Sequence, residues 1–144
     1  MGPVDRSLVL RKISELEIYH RQIDEFSGIT VRDYKEDWKT QRIVERTLQM
    51  MVETCVDIAN HIISEAGMRM PTSYADTFKV LFENNLVDPD LFTALEKMAK
   101  FRNVVVHQYE VVDAEIVVLI LKKNLLDFQK FREAISTYLK NLSH

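Results

Sequence analysis

Eight consecutive residues, Arg102-Asn103-Val104-Val105-Val106-His107-Gln108-Tyr109, gather a guanidinium, a carboxamide, an imidazole and a phenol late in a chain of 144 residues. Arginine is a permanent planar cation whose fork of donors matches phosphate oxygens. Histidine takes up and releases protons near neutral pH. One group that neutralises charge and one that moves a proton can cleave a phosphodiester without a metal ion. Spacing sets a difficulty. Residues five apart on an α-helix are about 140° apart around its axis, so Arg102 and His107 do not face one target from an unbroken helix. The three valines between them lower helix propensity modestly, which puts His107 at or beyond a loosening last turn, with residues 108–112 as the exit loop. On spacing alone a second reading stands beside the first: Arg102 in a surface ion pair, and His107 against the carbonyls of a helix C-terminus, where a cation is favoured.

The elements that must hold this segment read as helices. Asp5 can cap a first helix running to about Phe26, with Gly28 as its stop, and Val9, Ile13, Leu16 and Ile23 share one stripe. Thr30 or Asp33 opens the next segment, which is interrupted near Trp38 to Thr40. A long helix follows, with the stripe Val44, Leu48, Met51, Cys55, Ile58 and Ile62, and Gly67 ends it. Ser73 and Asp76 resemble a capping box ahead of a short helix carrying Phe78, Leu81 and Phe82. Asp88-Pro89 is a strong start signal for a helix that buries Leu91, Leu95, Met98 and Val105, with Arg102 in the same register. Asp113 caps a last long helix with the stripe Val117, Leu121, Leu125, Phe128, Ile135 and Leu139. The expectation is an all-α bundle of four to five main helices, a single domain over residues 1–144, with no repeat and no linker.

Composition bounds the function classes. With three Gly and three Pro, a many-stranded β architecture is disfavoured. The net charge of −3 gives no global signal for nucleic acid, so any such surface is local or made by association of chains. Cys55 is the only cysteine, which excludes an internal disulfide. No apolar run reaches the roughly 18 residues of a membrane span, and no signal-peptide pattern opens the chain; the expectation is a soluble, cytoplasmic protein without a membrane partner.

Arg102-Asn103-x3-His107-x-Tyr109 resembles the signature of the HEPN superfamily, and specifically its HepT-like toxins. The likeness covers nearly the whole chain. Asp33-Tyr34-Lys35-x2-Trp38-Lys39-Thr40-Gln41-Arg42-x2-Glu45-Arg46-x-Leu48-Gln49 is similar to the family's second-helix segment. Asp88-Pro89, Met98-Ala99-x-Phe101-Arg102-Asn103 and the long closing helix fit as well. The resemblance implies a HEPN-type bundle acting as a metal-independent endoribonuclease toxin, the RNA-cutting half of a type II system whose antitoxin is a cognate nucleotidyltransferase. It implies catalysis by Arg102 and His107 with Asn103 in support, no cofactor, a homodimer that apposes two motifs in one cleft, and Tyr109 as acceptor of adenylyl groups (AMPylation). Because the superfamily also has non-catalytic members, the alternative is a module that binds nucleotide or docks a nucleotidyltransferase partner. A helical bundle with no site is the third possibility.

Other residues carry weaker expectations. Lys35, Lys39, Arg42 and Arg46 follow helical spacing and form a basic stripe if the segment is continuous, although Glu36, Asp37 and Glu45 interleave, as on a solvated ion-pair face. Arg42 and Arg46, with Lys97 and Lys100 beside the motif, are the candidate RNA contacts. His61 and Glu65 could share a face as metal ligands, but no third ligand is evident and a surface pair is expected; no metal site is assigned. His20 is expected to be partly buried and satisfied, Cys55 to be core packing, and His144 to lie in the tail. Trp38 and Tyr34, four apart, can stack on bases or pack between helices, and packing is expected.

Overall fold

The computed structural model describes residues 4–107 and 112–142. Tyr109 and His144, and the exit loop apart from Val112, lie outside them. Asp5 caps helix α1 (Arg6–Asp24) by accepting the Leu8 N–H. Thr30 caps a short α2 (Val31–Glu36) through Asp33 N–H. At Asp37 the backbone turns extended, and its carboxylate takes the N–H groups of Lys39 and Thr40 to start α3 (Trp38–Ala66). Then come α4 (Tyr74–Glu83) and α5 (Pro89–His107). The chain closes with α6 (Ala114–Leu119), a π-helical stretch (Ile120–Asn124) and α7 (Leu125–Asn141). The architecture is an all-α bundle: α1 lies along α3, α4 pairs with α5, and α3 backs both, while α7 packs on α1 and α5.

The hydrophobic stripes point inward as their periodicity requires. Leu16, Val44, Leu48, Met51, Cys55, Ile62, Phe78, Val117, Phe131 and Ile135 have no exposed surface. Phe131 meets Phe78 edge-on with centroids 6.1 Å apart, and Phe82, partly buried, stacks on Phe92 at 4.9 Å. Burial pushes the Cys55 thiol well above its ordinary value, as suits a packing residue.

Four details differ from the sequence reading. First, α1 stops at Asp24, and its end is closed by turns, with Phe26 N–H bonded to Ile23 O. Gly28 has no left-handed backbone. Gly67 (φ 71°) ends α3 that way, with Met68 N–H reaching Ile63 O at 2.9 Å, and Asn85 (φ 63°) ends α4 likewise, with Leu86 N–H reaching Leu81 O at 2.9 Å, both as in a Schellman cap. Second, the box at Ser73 is half made. Ser73 Oγ accepts Asp76 N–H, but the Asp76 carboxylate takes Thr72 N–H and the Arg69 guanidinium instead of closing back on Ser73. Third, the last helix is not uniform. Two successive steps of four, Val117 to Leu121 to Leu125, drift off one face of a 3.6-residue helix, and the wider π turn at Ile120–Asn124 takes up the drift, so all three stay buried. Fourth, Trp38 does not pack between helices. It is 64% exposed, whereas Tyr34 is buried and donates its hydroxyl to Glu45 at 3.1 Å. The break at Asp37 also cuts Lys35 off from the α3 cations, so the four-residue basic stripe is not continuous.

Candidate active site

Helix α5 delivers the motif. Asp88 accepts the Leu91 N–H at 2.7 Å, Pro89 begins the helix, and Leu91, Leu95, Met98, Ala99 and Phe101 seat it in the core. The three valines do not loosen it: the helix runs unbroken through His107, its last residue. Their cost in propensity is a few tenths of a kcal/mol each, less than the packing that Val105 makes against the core. Arg102 and His107 therefore diverge by the angle an ideal helix dictates, about 140°. A single chain does not bring them together.

Arg102 sits in a built environment. Its guanidinium lies 4.4 Å from the centroid of the Tyr74 ring, a cation–π stack. Nη2 is 3.5 Å from a Glu53 oxygen and Nη1 is 3.4 Å from Asn103 Oδ1. Only 15% of the Arg102 side chain is exposed, against 28% for Glu53, so the pair is semi-buried and not the surface ion pair that spacing suggested. Its Nε is buried with no partner among the described residues. Glu53 is itself held by Gln49 Nε2 at 3.2 and 3.3 Å. Both contacts of Arg102 to oxygen are long. A phosphate offering two oxygens at charge-assisted distance would bind the fork better than the groups now near it.

The loop before α4 fixes Tyr74. Arg69 spans Asp76 with two bonds of 2.9 and 2.8 Å and reaches Glu83 at 2.7 Å. The Arg69 guanidinium, ahead of the Thr72 N–H, holds the Asp76 carboxyl well below the usual carboxylate range. This clamp anchors the first turn of α4, whose first residue is Tyr74.

His107 is exposed at the C-terminal end of α5. Asn103 is also exposed, about 100° around the helix from Arg102 and about 40° from His107. It is the motif residue that can face either one. Of the candidate RNA contacts, Arg42 and Arg46 are exposed on α3. Lys97 and Lys100 are exposed on α5 roughly on the His107 side, and far around the helix from Arg102. Glu53, Gln49 and Tyr74 escaped the sequence reading because they are far along the chain from the motif. A signal was available for one of them: Glu53 is a carboxylate seven residues past Arg46, on the outward stripe of a long helix.

The remaining histidines have structural surroundings. His61 Nε2 accepts the Asp5 N–H at 3.1 Å, so it tethers the start of α1 to α3 and does not form the expected pair with Glu65. His20 is partly buried, and burial, ahead of any charge, lowers its affinity for a proton. Its Nδ1 has no partner among the described residues, so it is not the fully satisfied histidine expected. Among the described residues, no three His, Cys, Asp or Glu side chains stand together as metal ligands, and no helix is long and apolar enough to cross a membrane.

Residues 16–135 match the family model described as Ribonuclease HepT-like, and the chain belongs to this family. It is 34% identical over 128 residues to the mRNA nuclease HepT of Shewanella oneidensis, covering 89% of this chain and 96% of that one. The fold superposes on a crystal structure of a toxin–antitoxin with AMP-PNP at a TM-score of 0.85, with 32% identity over 92% of this chain and 99% of the other. It also superposes on a tri-AMPylated Shewanella oneidensis HEPN toxin in complex with an MNT antitoxin, at a TM-score of 0.82 and 31% identity over 95% and 99% of the two chains.

Proposed function

We propose that this chain is the ribonuclease toxin of a toxin–antitoxin pair, and that it cuts RNA without a metal ion through Arg102 and His107 at a homodimer cleft. Likeness to a named mRNA nuclease over nearly the full length of both chains carries the general reading. The semi-buried, stacked Arg102 supports its finer part. In the reaction, the 2′-hydroxyl of one nucleotide loses its proton and its oxygen attacks the adjacent phosphorus. The bond to the 5′-oxygen breaks, and that oxygen takes up a proton. The products are a 2′,3′-cyclic phosphate and a free 5′-hydroxyl. His107 moves one of these protons. Arg102 lies against the non-bridging oxygens as charge builds there, and Asn103 orients either group.

The geometry of one chain supports a composite site. Arg102 and His107 point apart, and each chain brings a single motif histidine although two proton transfers are needed. A two-fold partner would set the His107 of one chain beside the Arg102 of the other. The exposed apolar side chains Val106, on the last turn of α5, and Ile116 and Leu119, which line a groove with Ala94, Met98 and Phe101, are surface for such a partner to bury. Purified protein should cut RNA in EDTA and leave cyclic phosphate ends. Its specific activity should fall when it is diluted until light scattering reports the 16.9 kDa monomer. Full activity in the monomer would overturn the composite site, and cleavage that needs added metal would overturn the mechanism.

The stack on Tyr74 yields a second expectation. Tyr74→Phe keeps the ring and should retain activity within about twofold. Tyr74→Leu should lower kcat by about tenfold, the equivalent of one exposed-to-desolvated cation–π contact, with little change in KM. Equal effects of the two replacements in steady-state kinetics would show that the ring does not position Arg102. The alternative reading, a module that docks a nucleotidyltransferase without cutting RNA, draws on one observation: Arg102 already has neighbours within one chain. That reading requires wild-type protein to leave RNA intact.

A further inference from the structure

We propose that the outward stripe of α3, from Trp38 through Arg42 and Arg46 to Glu53, is a track for single-stranded RNA that leads to Arg102, with one base stacked on Trp38. The proposal rests on the ribonuclease reading and extends the substrate contacts well beyond the motif. Helical geometry places the stripe. At 100° per residue, and measured from Arg42, Trp38 lies at about −40°, Gln49 at about −20°, Glu53 at about +20° and Arg46 at about +40°. The core residues Val44, Leu48, Met51 and Cys55 occupy the opposite side of the same helix. The stripe ends at Glu53, whose carboxylate is 3.5 Å from Arg102, so whatever lies along it arrives at the guanidinium.

Trp38 is the most informative residue on this face. An indole exposed over 64% of its surface contributes nothing to the core, yet offers a flat stacking face at the first turn of a rigid helix. Lys39 Nζ sits 5.8 Å from its ring. The acids that interleave with the cations in sequence are engaged locally. Glu36 pairs with Arg32, Asp37 caps α3 and accepts the Thr40 hydroxyl at 2.8 Å, and Glu45 accepts the Tyr34 hydroxyl. Lys39, Arg42 and Arg46 are exposed and make no ion pair among the described residues. Three exposed cations without an ion pair among the described residues, one of them (Lys39) lying over the exposed Trp38 ring, on a chain of net charge −3, suit a polyanion with accessible base faces. That is a single strand, because a duplex hides its base faces in the stack. From Trp38 to Glu53 the helix rises about 22 Å, the length of about six stacked nucleotides or fewer extended ones.

Trp38 is the only tryptophan of the chain, so its emission reports on this position alone. The test titrates the His107→Ala protein, expected to hold RNA while cutting it at least about a hundredfold more slowly, with an eight-nucleotide single strand labelled for anisotropy. Emission should be quenched in step with the anisotropy rise, and the same sequence as a duplex should quench far less. Trp38→Ala should weaken binding about tenfold or more, with Trp38→Phe recovering most of it. Arg42→Gln with Arg46→Gln should flatten the dependence of log K on log salt by about 1.4. RNA that binds without changing the emission would overturn the track, as would a Trp38→Ala protein that binds like its parent. Quenching by a second copy of the chain or by the nucleotidyltransferase, but not by RNA, would overturn it too, by assigning the face to protein. The two readings fail separately. Cleavage by wild type with no change in emission removes the track and keeps the ribonuclease, whereas quenching by RNA that wild type never cuts removes the ribonuclease and keeps the track.

Discussion

His107→Ala should lower RNA cleavage by about two to four orders of magnitude, the usual contribution of a positioned proton-transfer group, and should abolish growth inhibition with it. The fold should be untouched. His107 is exposed at the last position of α5, where an alanine costs no burial and adds helix propensity, so circular dichroism and Tm should match wild type. Arg102→Lys should be nearly as damaging. An ammonium keeps the charge but loses the planar fork that lies over Tyr74 and spans Glu53 and Asn103. The paired outcome is informative, because the ammonium introduced by that replacement can still form an ion pair with Glu53. Retained activity in Arg102→Lys would reduce Arg102 to a structural charge, and full activity in His107→Ala would end the assignment of catalysis to this motif. Timed cleavage of end-labelled RNA under excess enzyme measures both.

The fold was legible because burial follows period. Every residue of the α1 and α3 stripes read from sequence is in the core, and the caps at Asp5, Thr30, Ser73, Asp88 and Asp113 accept the N–H groups a cap should. Misreadings fell where a tertiary partner outweighs a local preference. The triple valine suggests a fraying helix, but the packing of Val105 and Phe101 keeps it intact. Trp38 suggests burial, but the break at Asp37 rotates it to the outer face of α3. The motif was legible as chemistry and not as geometry. Arg102 and His107 are close in sequence and far apart in direction, while the neighbours that fix Arg102, namely Glu53 and Tyr74, are 49 and 28 residues away in the chain. Tyr74 has no local pattern that points to an arginine on another helix, and Glu53 shows only as a carboxylate on the outward stripe of α3.

Tyr109→Phe should leave cleavage largely intact and make the protein resistant to neutralisation by an active nucleotidyltransferase antitoxin. Tyr109 lies outside the described residues, two positions past the exposed end of α5, so its chemistry and its place in the chain carry the expectation. A phenol there is within a few ångströms of chain length from the imidazole. If its oxygen attacks the α-phosphorus of ATP, the new phenol–phosphate bond forms as pyrophosphate leaves and the phenolic proton passes to a base. The negative phosphodiester then remains beside His107, and beside Arg102 of a two-fold partner. It would occupy the cations that RNA phosphate needs, and its adenosine would fill the cleft. The tri-AMPylated HEPN toxin to which this fold is similar is also in complex with an MNT antitoxin, so modification and contact are separated by experiment. Intact-mass measurement after incubation with antitoxin and ATP decides the matter. Wild type should gain adenylyl adducts in proportion to lost activity, and Tyr109→Phe should gain none and stay active. Equal adducts on both proteins, or full neutralisation of Tyr109→Phe without any adduct, would assign the control to another residue or to binding alone.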